Sequence, residues 1–501
     1  MMSLLQQGEL ASKLETISAG LPWLLPEICL VLTLVLLLCF DLAFKNKKSF
    51  GLASISFVGL GFTFLLLSLQ WNQGPDLSLF DGLLKLDRLA ILFKFVFVIT
   101  LAGTLIIATQ SKKAHKDFFQ SSEVNVLLFG VLLGCSFMVM SSNLLLIYLS
   151  IEVVSICSYA LSAVTKGRKK AEAGLKYLIF GAASSAIMLY GMSWLYGFTG
   201  TLDIASTEFI TGIQAIDIVP LSIAALLTLI GILFKLGAFP MHIWSPDVYE
   251  AVPIPIINTF SILPKLAALA ILMRLSIGMN LSTIDWQLWL GIIAMASMTV
   301  GNFSALWQKD IKRMLAYSSI AHAGFLIVGL VANSQAGNEA LVFYGMIYAL
   351  MNIAAFFLIQ MLEDKTGSSL FESFKGKGTE FTWLGILVVM VMVSLTGLPP
   401  TAGFNAKLFI FSSLFEVYET TQEPIYMLVL IFGLINTVIA LFYYLKLPYY
   451  MYLKTNGSQV ELTDHKPFQM IVGTLFTAPL LLLFFRSDWF VDLVNSINFG
   501  L

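Results

Sequence analysis

Apolar segments of about 20 residues recur from one end of this 501-residue chain to the other. A segment of this length can span the hydrocarbon core of a bilayer as a helix. Hydrophobic residues make up 58% of the sequence and charged residues only 12%, which excludes a soluble globular protein. The pattern therefore predicts an all-α polytopic membrane protein.

Fourteen membrane spans are predicted from the apolar segments. Their approximate bounds are 22–43, 50–70, 88–109, 123–140, 143–164, 172–196, 219–250, 254–275, 286–307, 313–332, 339–361, 381–415, 425–446 and 467–485. The seventh and twelfth are too long for one straight crossing, and both contain Gly and Pro residues. We therefore expect these two spans to be discontinuous helices.

Lysine and arginine are concentrated in alternate connections between the spans. The connections after spans 1, 3, 5, 9, 11 and 13 hold 19 of the 29 basic residues. The opposite side keeps five, namely Lys13, Lys85, Arg88, Arg274 and Arg486. Because cytoplasmic loops retain positive charge, both termini are predicted to lie outside the cytoplasm.

A weak internal similarity relates two parts of the chain at a shift of about 170 residues. The stretch "YLSIEVVS" at 148–155 resembles "YSSIAHAG" at 317–324, and Lys235 and Lys407 stand 172 positions apart. Spans 4–8 and 9–13 would then be two five-helix repeats, the second inverted in the membrane, which is typical of transporters. The predicted organisation is 1–122 (spans 1–3), 123–276 (first repeat), 277–446 (second repeat) and 447–501 (span 14).

Five ionisable residues stand well inside predicted spans. They are Glu152, Lys235, Lys265, His322 and Lys407, one in each of spans 5, 7, 8, 10 and 12. Ionisable groups at this depth are costly and usually mark ion or proton paths. We expect Glu152 to pair with Lys235 and to set its proton affinity, with a static buried ion pair as the alternative. The order suggests a file of protonatable groups, for which H⁺ is the simplest transported species.

Three other residues have more than one interpretation. Lys176 stands about one turn inside span 6, where snorkelling towards the cytoplasm competes with a functional role. Lys94, near the outer end of span 3, is expected to snorkel. His242 follows the break in span 7 and, like His322, could relay a proton; a histidine satisfied by a neighbouring hydroxyl is the alternative for both.

Motifs for cofactors, metals and nucleic acids are missing from the sequence. The four cysteines form no C-x-x-C pair, and neither H-x-x-H nor H-E-x-x-H occurs. No Gly-rich nucleotide-binding loop is found, and a net charge of −1 gives no indication of nucleic-acid binding. Any redox chemistry is therefore expected in partner proteins.

Several longer motifs identify a family. They are "LLIYLSIEVVSICSYAL" in span 5, "FKLGAFPMHIWSPDVYEAVPIPIINTFSILPKLAAL" across spans 7 and 8, "DIKRMLAYSSIAHAGF" in span 10 and "SLTGLPPTAGFNAKLFIF" in span 12. Through them the chain resembles, over essentially its whole length, the antiporter-like membrane subunits of respiratory complex I.

The resemblance implies two half-channels joined by a central line of lysines and histidine. Glu152 matches the family's glutamate of the fifth helix, and Lys176 matches its lysine of the sixth. Lys235 matches the lysine of the broken helix, Lys265 the connecting lysine and Lys407 the terminal lysine of the second half-channel. This match favours a functional role for Lys176 over the snorkelling interpretation.

The resemblance also implies a proton-translocating subunit of a bacterial NADH-quinone oxidoreductase in the inner membrane. NADH, FMN, iron–sulfur clusters and quinone are expected in partner subunits, which include other membrane subunits and a peripheral redox arm. Two features favour the subunit type that lacks a long lateral helix. Position 407 is a lysine rather than a glutamate, and the chain ends after span 14. Subunits of Mrp-type Na⁺/H⁺ antiporters and of membrane-bound hydrogenases are the alternatives, and an inert membrane scaffold is a third.

Overall fold

The computed structural model describes residues 14–44, 48–111, 122–164, 167–454 and 467–499. Within these ranges thirteen helices are long and apolar enough to cross a membrane. The one sheet of the described chain is an antiparallel hairpin of strands β1 (Leu77–Leu79) and β2 (Leu84–Leu86). The predicted all-α membrane fold is confirmed.

Eight basic residues used to predict the orientation of the chain in the membrane lie outside the described residues, namely Lys13, Lys45, Lys47, Lys112, Lys113, Lys116, Lys166 and Lys466.

The helices follow the predicted spans, which we number 1 to 14 in chain order. They are Leu25–Ala43, Lys48–Gln73, Arg88–Gln110, Glu123–Met140, Leu144–Ala163, Arg168–Thr199, Ile218–Leu236 with Trp244–Ala251, Ile254–Met279, Trp286–Leu306, Ile311–Val331, Gln335–Thr366, Thr382–Thr396 with Ala402–Thr421, Pro424–Tyr452 and Pro467–Phe485. Shorter helices are Leu21–Leu24, Thr207–Gln214, Phe371–Phe374, Lys377–Glu380 and Asp488–Asn495. Spans 4 and 14 have the bounds predicted from the sequence.

Side-chain caps fix where several spans begin. Asp87 accepts a hydrogen bond from the backbone N–H of Ala90 at 2.8 Å, at the start of span 3. Asn143 accepts from the N–H of Leu145 at 3.0 Å, at the start of span 5. A helix start leaves backbone donors unpaired, and these side chains satisfy some of them at the membrane surface.

Spans 7 and 12 are interrupted, as the sequence predicts. The first half of span 7 ends at Gly237, with φ +61°, and the first half of span 12 ends at Gly397, with φ +85°. Only glycine adopts this left-handed conformation at little cost. Pro240, Pro399 and Pro400 follow, and proline cannot continue a helix. Each break therefore has a local cause in the sequence.

Spans 8, 10 and 11 form the centre of the molecule. The apolar stretch of span 8 is 100% buried and those of spans 10 and 11 are 94% buried, whereas spans 1, 13 and 14 reach only 28%. Span 8 packs against spans 3, 4, 7, 10 and 11. Side chains in the middle of spans 8 and 10 are therefore separated from lipid by a complete layer of helices.

Two buried ion pairs link spans 1, 3, 4 and 8. The Nζ of Lys94 lies 2.7 Å from Glu27 Oε1, and both side chains are at most 3% exposed. Arg274 makes a bidentate pair with Asp87 at 2.9 and 3.0 Å and also donates to the carbonyl of Val139. The expectation that Lys94 snorkels is wrong, because Glu27 of span 1 lies opposite its ammonium group and satisfies the charge inside the protein.

Candidate functional site

Lys235 lies in the last turn of the first half of span 7, directly before the break. Its side chain is 2% exposed. The Nζ lies 5.4 Å from the ring centres of Tyr159 and Phe234, and within the described chain it has no hydrogen-bond acceptor. The negative end of the half-helix lies beside this lysine and favours a cation there. The break thus creates an enclosed position for an ammonium group that no neighbouring residue fixes in place.

Glu152 is half-buried on span 5 and interacts electrostatically with Lys235. No ion pair within 4.0 Å joins the two among the described residues. One carboxylate oxygen, Oε1, is buried and has no hydrogen-bond partner. Glu152 also lines an open groove of about 490 Å³ between spans 5 and 6, together with Tyr148, Ser185 and Tyr190. The two residues expected to pair therefore face each other without direct contact.

Lys265 is fully buried in the middle of span 8 and reaches the break of span 7. Its Nζ donates to the backbone carbonyl and to the hydroxyl of Ser319, both at 2.9 Å. A Cβ placed on Gly237 would lie 3.3 Å from this Nζ. The ammonium group therefore packs against the glycine that ends the first half of span 7, two positions beyond Lys235.

Buried hydroxyl groups fill the region between Lys235 and Lys265. Tyr249, on the second half of span 7, faces both Ser245 and Ser319, but no hydrogen bond of normal geometry satisfies its hydroxyl or that of Ser245. The hydroxyls of Ser158 and Tyr159 on span 5 are also buried and make no hydrogen bond of normal geometry with the described residues. Buried polar groups are nearly always hydrogen-bonded, either to protein or to ordered water, so this region is suited to hold water.

His322 is held by two tyrosines through both of its ring nitrogens. Tyr344 on span 11 lies 2.6 Å from Nδ1, and Tyr444 on span 13 lies 2.9 Å from Nε2. Tyr444 also makes a short hydrogen bond to Ser318. A neutral imidazole has one donor and one acceptor nitrogen. The arrangement can therefore take up a proton on one side of the ring and release one on the other.

Lys407 occupies the break of span 12. It is 5% exposed, and its Nζ donates to the backbone carbonyl of Thr396 at 2.8 Å. The Nζ also lies 4.4 Å from the ring centre of Phe325, within range of a cation–π contact. A Cβ on Gly397 would lie 2.7 Å from Lys407 Cδ. Both broken spans thus pair a left-handed glycine with a buried lysine.

Lys176 belongs to a charge cluster at the end of spans 6, 7 and 10 that is predicted to face the cytoplasm. Its Nζ lies 3.0 Å from Glu172 and 3.2 Å from Asp247, and its side chain is 45% exposed. Arg313 of span 10 pairs with the same Asp247 at 2.9 Å and with Glu250 at 2.8 Å. Asp247 therefore connects the two predicted repeats at this surface, and Lys176 lies outside the buried file.

His242 lies between the two halves of span 7. The ring is half-buried, stacks on Phe239 with 5.9 Å between ring centres, and has a buried Nδ1 without a partner. Among the described residues, no hydroxyl group pairs with this nitrogen, which the alternative interpretation of His242 would require.

The structure brings four of the predicted residues into the protein core and adds residues that the sequence did not single out. Lys235, Lys265, His322 and Lys407 are each at most 5% exposed. Three additional residues contact Lys265 or His322 from other spans, namely Ser319, Tyr344 and Tyr444, and a fourth, Tyr249, faces Ser319. In the sequence, these serines and tyrosines stand out only as polar side chains inside apolar spans. Many serines and tyrosines at such positions have only a packing role. Among the described residues, no group of three or more His, Cys, Asp or Glu side chains could hold a metal ion.

Residues 141–440 match the family model described as NADH:quinone oxidoreductase/Mrp antiporter, TM. NADH-quinone oxidoreductase subunit N of Chlorobium chlorochromatii is 36% identical over 494 residues, which cover 96% of this chain and 95% of that protein.

Two solved structures have a similar fold. A chain of respiratory complex I from Thermus thermophilus, solved with bound aureothin, superposes with a TM-score of 0.78 at 25% identity, covering 95% of this chain and 100% of that one. A chain of the Mrp complex from Dietzia sp. superposes with a TM-score of 0.80 at 18% identity, covering 94% and 96%. The second likeness concerns the fold alone.

Proposed function

This chain belongs to the NADH:quinone oxidoreductase/Mrp antiporter family of transmembrane proteins, and from that membership we propose the path by which it moves protons. It is a multi-pass membrane subunit of a complex I-type NADH:quinone oxidoreductase, a proton-translocating enzyme. Its partners are other membrane subunits and the peripheral arm of that complex. The residues that carry the proton, and their order, are our proposal.

The proton moves along the file Lys235, Lys265, His322 and Lys407. Glu152 acts on Lys235 across the gap between spans 5 and 7, so that a small displacement of the carboxylate changes the proton affinity of the lysine. Hydrated space around Tyr249 and Ser319 connects Lys235 to Lys265. His322, held at both nitrogens by tyrosines, passes the proton on towards Lys407.

The energy needed is within reach of a charge interaction such as the one between Glu152 and Lys235. At a membrane potential of about 150 mV, moving one charge outward costs roughly 3.5 kcal/mol. This equals a change in pKa of roughly two to three units. Making or breaking a buried charge interaction shifts pKa values by that amount. Quinone reduction in partner subunits supplies the energy in this proposal.

The organisation around the file is proposed on the same grounds. Residues 123–276 and 277–446 form inverted repeats, flanked by 1–122 and 447–501, and the two lysine–glycine breaks support this relation. Both termini face the non-cytoplasmic side of a bacterial inner membrane, which places the cluster around Asp247 at the cytoplasmic entrance. The redox cofactors lie in partner subunits, where NADH donates electrons through FMN and iron–sulfur clusters to quinone. Lys176 modulates proton entry at this surface, and His242 is a second proton relay beside the break of span 7.

The observation that carries the proposal is the burial of three lysines and a histidine in the core of a membrane protein. The test is to reconstitute the purified complex in vesicles and to measure protons moved per electron. Glu152→Gln and Lys235→Ala are each expected to lower this ratio while electron transfer from NADH persists. Lys85→Ala, which removes a half-exposed lysine from the β1–β2 hairpin, is the matched control. An unchanged ratio in both test variants would refute the role given to this pair.

The ion that moves is proposed to be H⁺ rather than Na⁺. Ammonium and imidazolium groups hold protons but offer no acceptor to a sodium ion, and the file consists of such groups. Proton transport by the reconstituted complex should therefore be independent of sodium concentration. Transport of ²²Na⁺ coupled to electron transfer would instead favour the chemistry of a sodium/proton antiporter.

A further inference from the structure

An apolar slot lies on the surface between spans 2, 3 and 11 and the short helix Asp488–Asn495. Its volume is about 330 Å³, and its walls include Phe95, Met346 and Phe490. Phe64 and Ile99, which are 40% and 45% exposed, flank its mouth. None of the residues of the proposed proton file lines this slot, so its presence needs a separate explanation.

The interior of the slot offers little to a polar ligand. Its two hydroxyl residues are satisfied within their own helices, because Ser68 donates to the carbonyl of Phe64 at 2.9 Å and Thr100 to that of Val96 at 2.7 Å. The remaining walls are aliphatic and aromatic except for Asn72, which stands near the end of span 2. In a membrane, such a narrow apolar slot that opens sideways suits a hydrocarbon chain.

Arg88 provides a charge next to the slot. It stands one helical turn before Leu92, which lines the slot, and its guanidinium lies 5.7 Å from the ring centre of Trp71, which also lines it. Its Nη1 donates to the carbonyl of Ser496 at 3.0 Å. In the part of the chain that the structure describes, no carboxylate pairs with Arg88, since the neighbouring Asp87 is engaged by Arg274. Most of the guanidinium donors are therefore available to an anion.

Several features place Arg88 at the level of the lipid headgroups. Arg88 and Trp71 lie at the ends of spans 3 and 2, beside the β1–β2 hairpin. The short helix Asp488–Asn495 carries the exposed Trp489, whose ring lies 5.0 Å from the guanidinium of Arg486. Tryptophan and arginine at such positions mark the interface between membrane and water. The slot then lies at the depth of the acyl chains, directly below a cation at the depth of the phosphates.

We propose that this slot binds one acyl chain of an anionic phospholipid, whose phosphate is held by Arg88. The apolar walls account for the chain, and the guanidinium, which lacks a carboxylate partner, accounts for the preference for a negative headgroup. The lipid would fasten spans 2, 3 and 11 to the short helix Asp488–Asn495. This inference does not depend on the proposed proton path.

Photo-crosslinking in the intact purified complex tests the proposal. The complex is reconstituted with phosphatidylglycerol or phosphatidylcholine that carries a photoreactive acyl chain, and labelled peptides of this subunit are identified by mass spectrometry. Peptides of spans 2, 3 and 11 should be labelled about fivefold more by phosphatidylglycerol, as expected for one arginine at the membrane surface. Equal labelling by the two lipids would overturn the preference for an anionic headgroup.

Three variants separate the two parts of the site. Arg88→Gln should reduce labelling by phosphatidylglycerol to the level of phosphatidylcholine. Ala349→Trp, which fills the slot, should abolish labelling by both lipids, whereas Val438→Trp on the exposed face of span 13 should change neither. Unchanged lipid preference in Arg88→Gln would refute the role of Arg88 even if Ala349→Trp did not assemble. A photoreactive residue at position 99 that crosslinks to another subunit, and not to lipid, would show that a protein helix occupies the slot.

Discussion

The ammonium group of Lys265 lies against Gly237, and a single added methyl group at that glycine would come within 3.3 Å of the Nζ. Lys235 lies two residues before the same glycine. One backbone position in span 7 therefore borders both lysines of the first half of the proposed path. The residue at position 237 must therefore adopt a left-handed conformation and leave space for the Lys265 amine.

Replacing this glycine should impair proton transfer more than it impairs folding. In Gly237→Ala, the left-handed conformation costs about 1–2 kcal/mol, and the new methyl group displaces the Lys265 amine. The amine must move by a few tenths of an ångström to make room, and because proton transfer depends on the position of the reacting groups, protons moved per electron should fall. Gly197→Ala in span 6 is the control, since a Cβ there has no neighbour within 4 Å. Equal, unchanged ratios in the two variants would contradict the importance of this contact.

The hydroxyl of Tyr249 should matter for proton transfer and not for stability. It faces Ser245 and Ser319 but makes no hydrogen bond of normal geometry in the described structure, so Tyr249→Phe removes at most weak polar contacts within the protein. We expect the thermal stability of the complex to stay the same or rise slightly, while proton transfer slows at least about tenfold. Tyr426→Phe, near the start of span 13, controls for loss of a buried tyrosine hydroxyl elsewhere. Normal pumping in Tyr249→Phe would remove this residue from the path.

The two tyrosines at His322 should act only through the histidine. Tyr444→Phe leaves Nε2 without its partner at 2.9 Å, which costs about 1–3 kcal/mol for a buried group and should lower proton transfer. In a His322→Ala background the same substitution should have little further effect, because interacting residues are non-additive. Pumping by the two single variants and the double variant measures the coupling. Additive losses would mean that Tyr444 contributes independently of His322.

The ion pair between Lys94 and Glu27 should be strongly coupled. Lys94→Met leaves a buried carboxylate without its partner, and breaking a buried pair costs about 3–5 kcal/mol. The double variant Glu27→Gln with Lys94→Met leaves no charge and should regain most of the lost stability. Thermal unfolding of the membrane-extracted complex measures both. If the double variant were as unstable as the single one, packing of the two side chains, and not their charges, would hold spans 1 and 3 together.

The positions of the spans could be predicted because hydropathy and helix punctuation are local properties of the chain. Span 4 was predicted at 123–140 and is observed at Glu123–Met140. The breaks at Gly237 and Gly397 follow from a glycine with prolines close behind it. Such signals need only a few neighbouring residues, and no knowledge of what packs against them.

The surroundings of the ionisable residues could not be predicted in this way. Lys94 is expected to snorkel because it stands near the end of span 3, but its partner Glu27 belongs to span 1 and holds it inside the protein. His322 receives its tyrosines from spans 11 and 13. Such contacts depend on how distant spans are arranged around span 8, and a tyrosine inside an apolar span looks in the sequence like one more packing residue.

The lysines at the two breaks differ in what holds them, and this difference bears on direction. If residues 123–276 and 277–446 are inverted repeats, as proposed, the fold by itself gives the proton no preferred direction. The carbonyl of Thr396 anchors the Lys407 amine at 2.8 Å, whereas the Lys235 amine has no anchor among the described residues. The Lys235 amine can reorient and the Lys407 amine is held in place, so the two ends of the proposed proton path differ. The direction of transport can then originate in the carbonyl oxygen of Thr396, which holds Lys407. Lys235 has no such acceptor among the described residues.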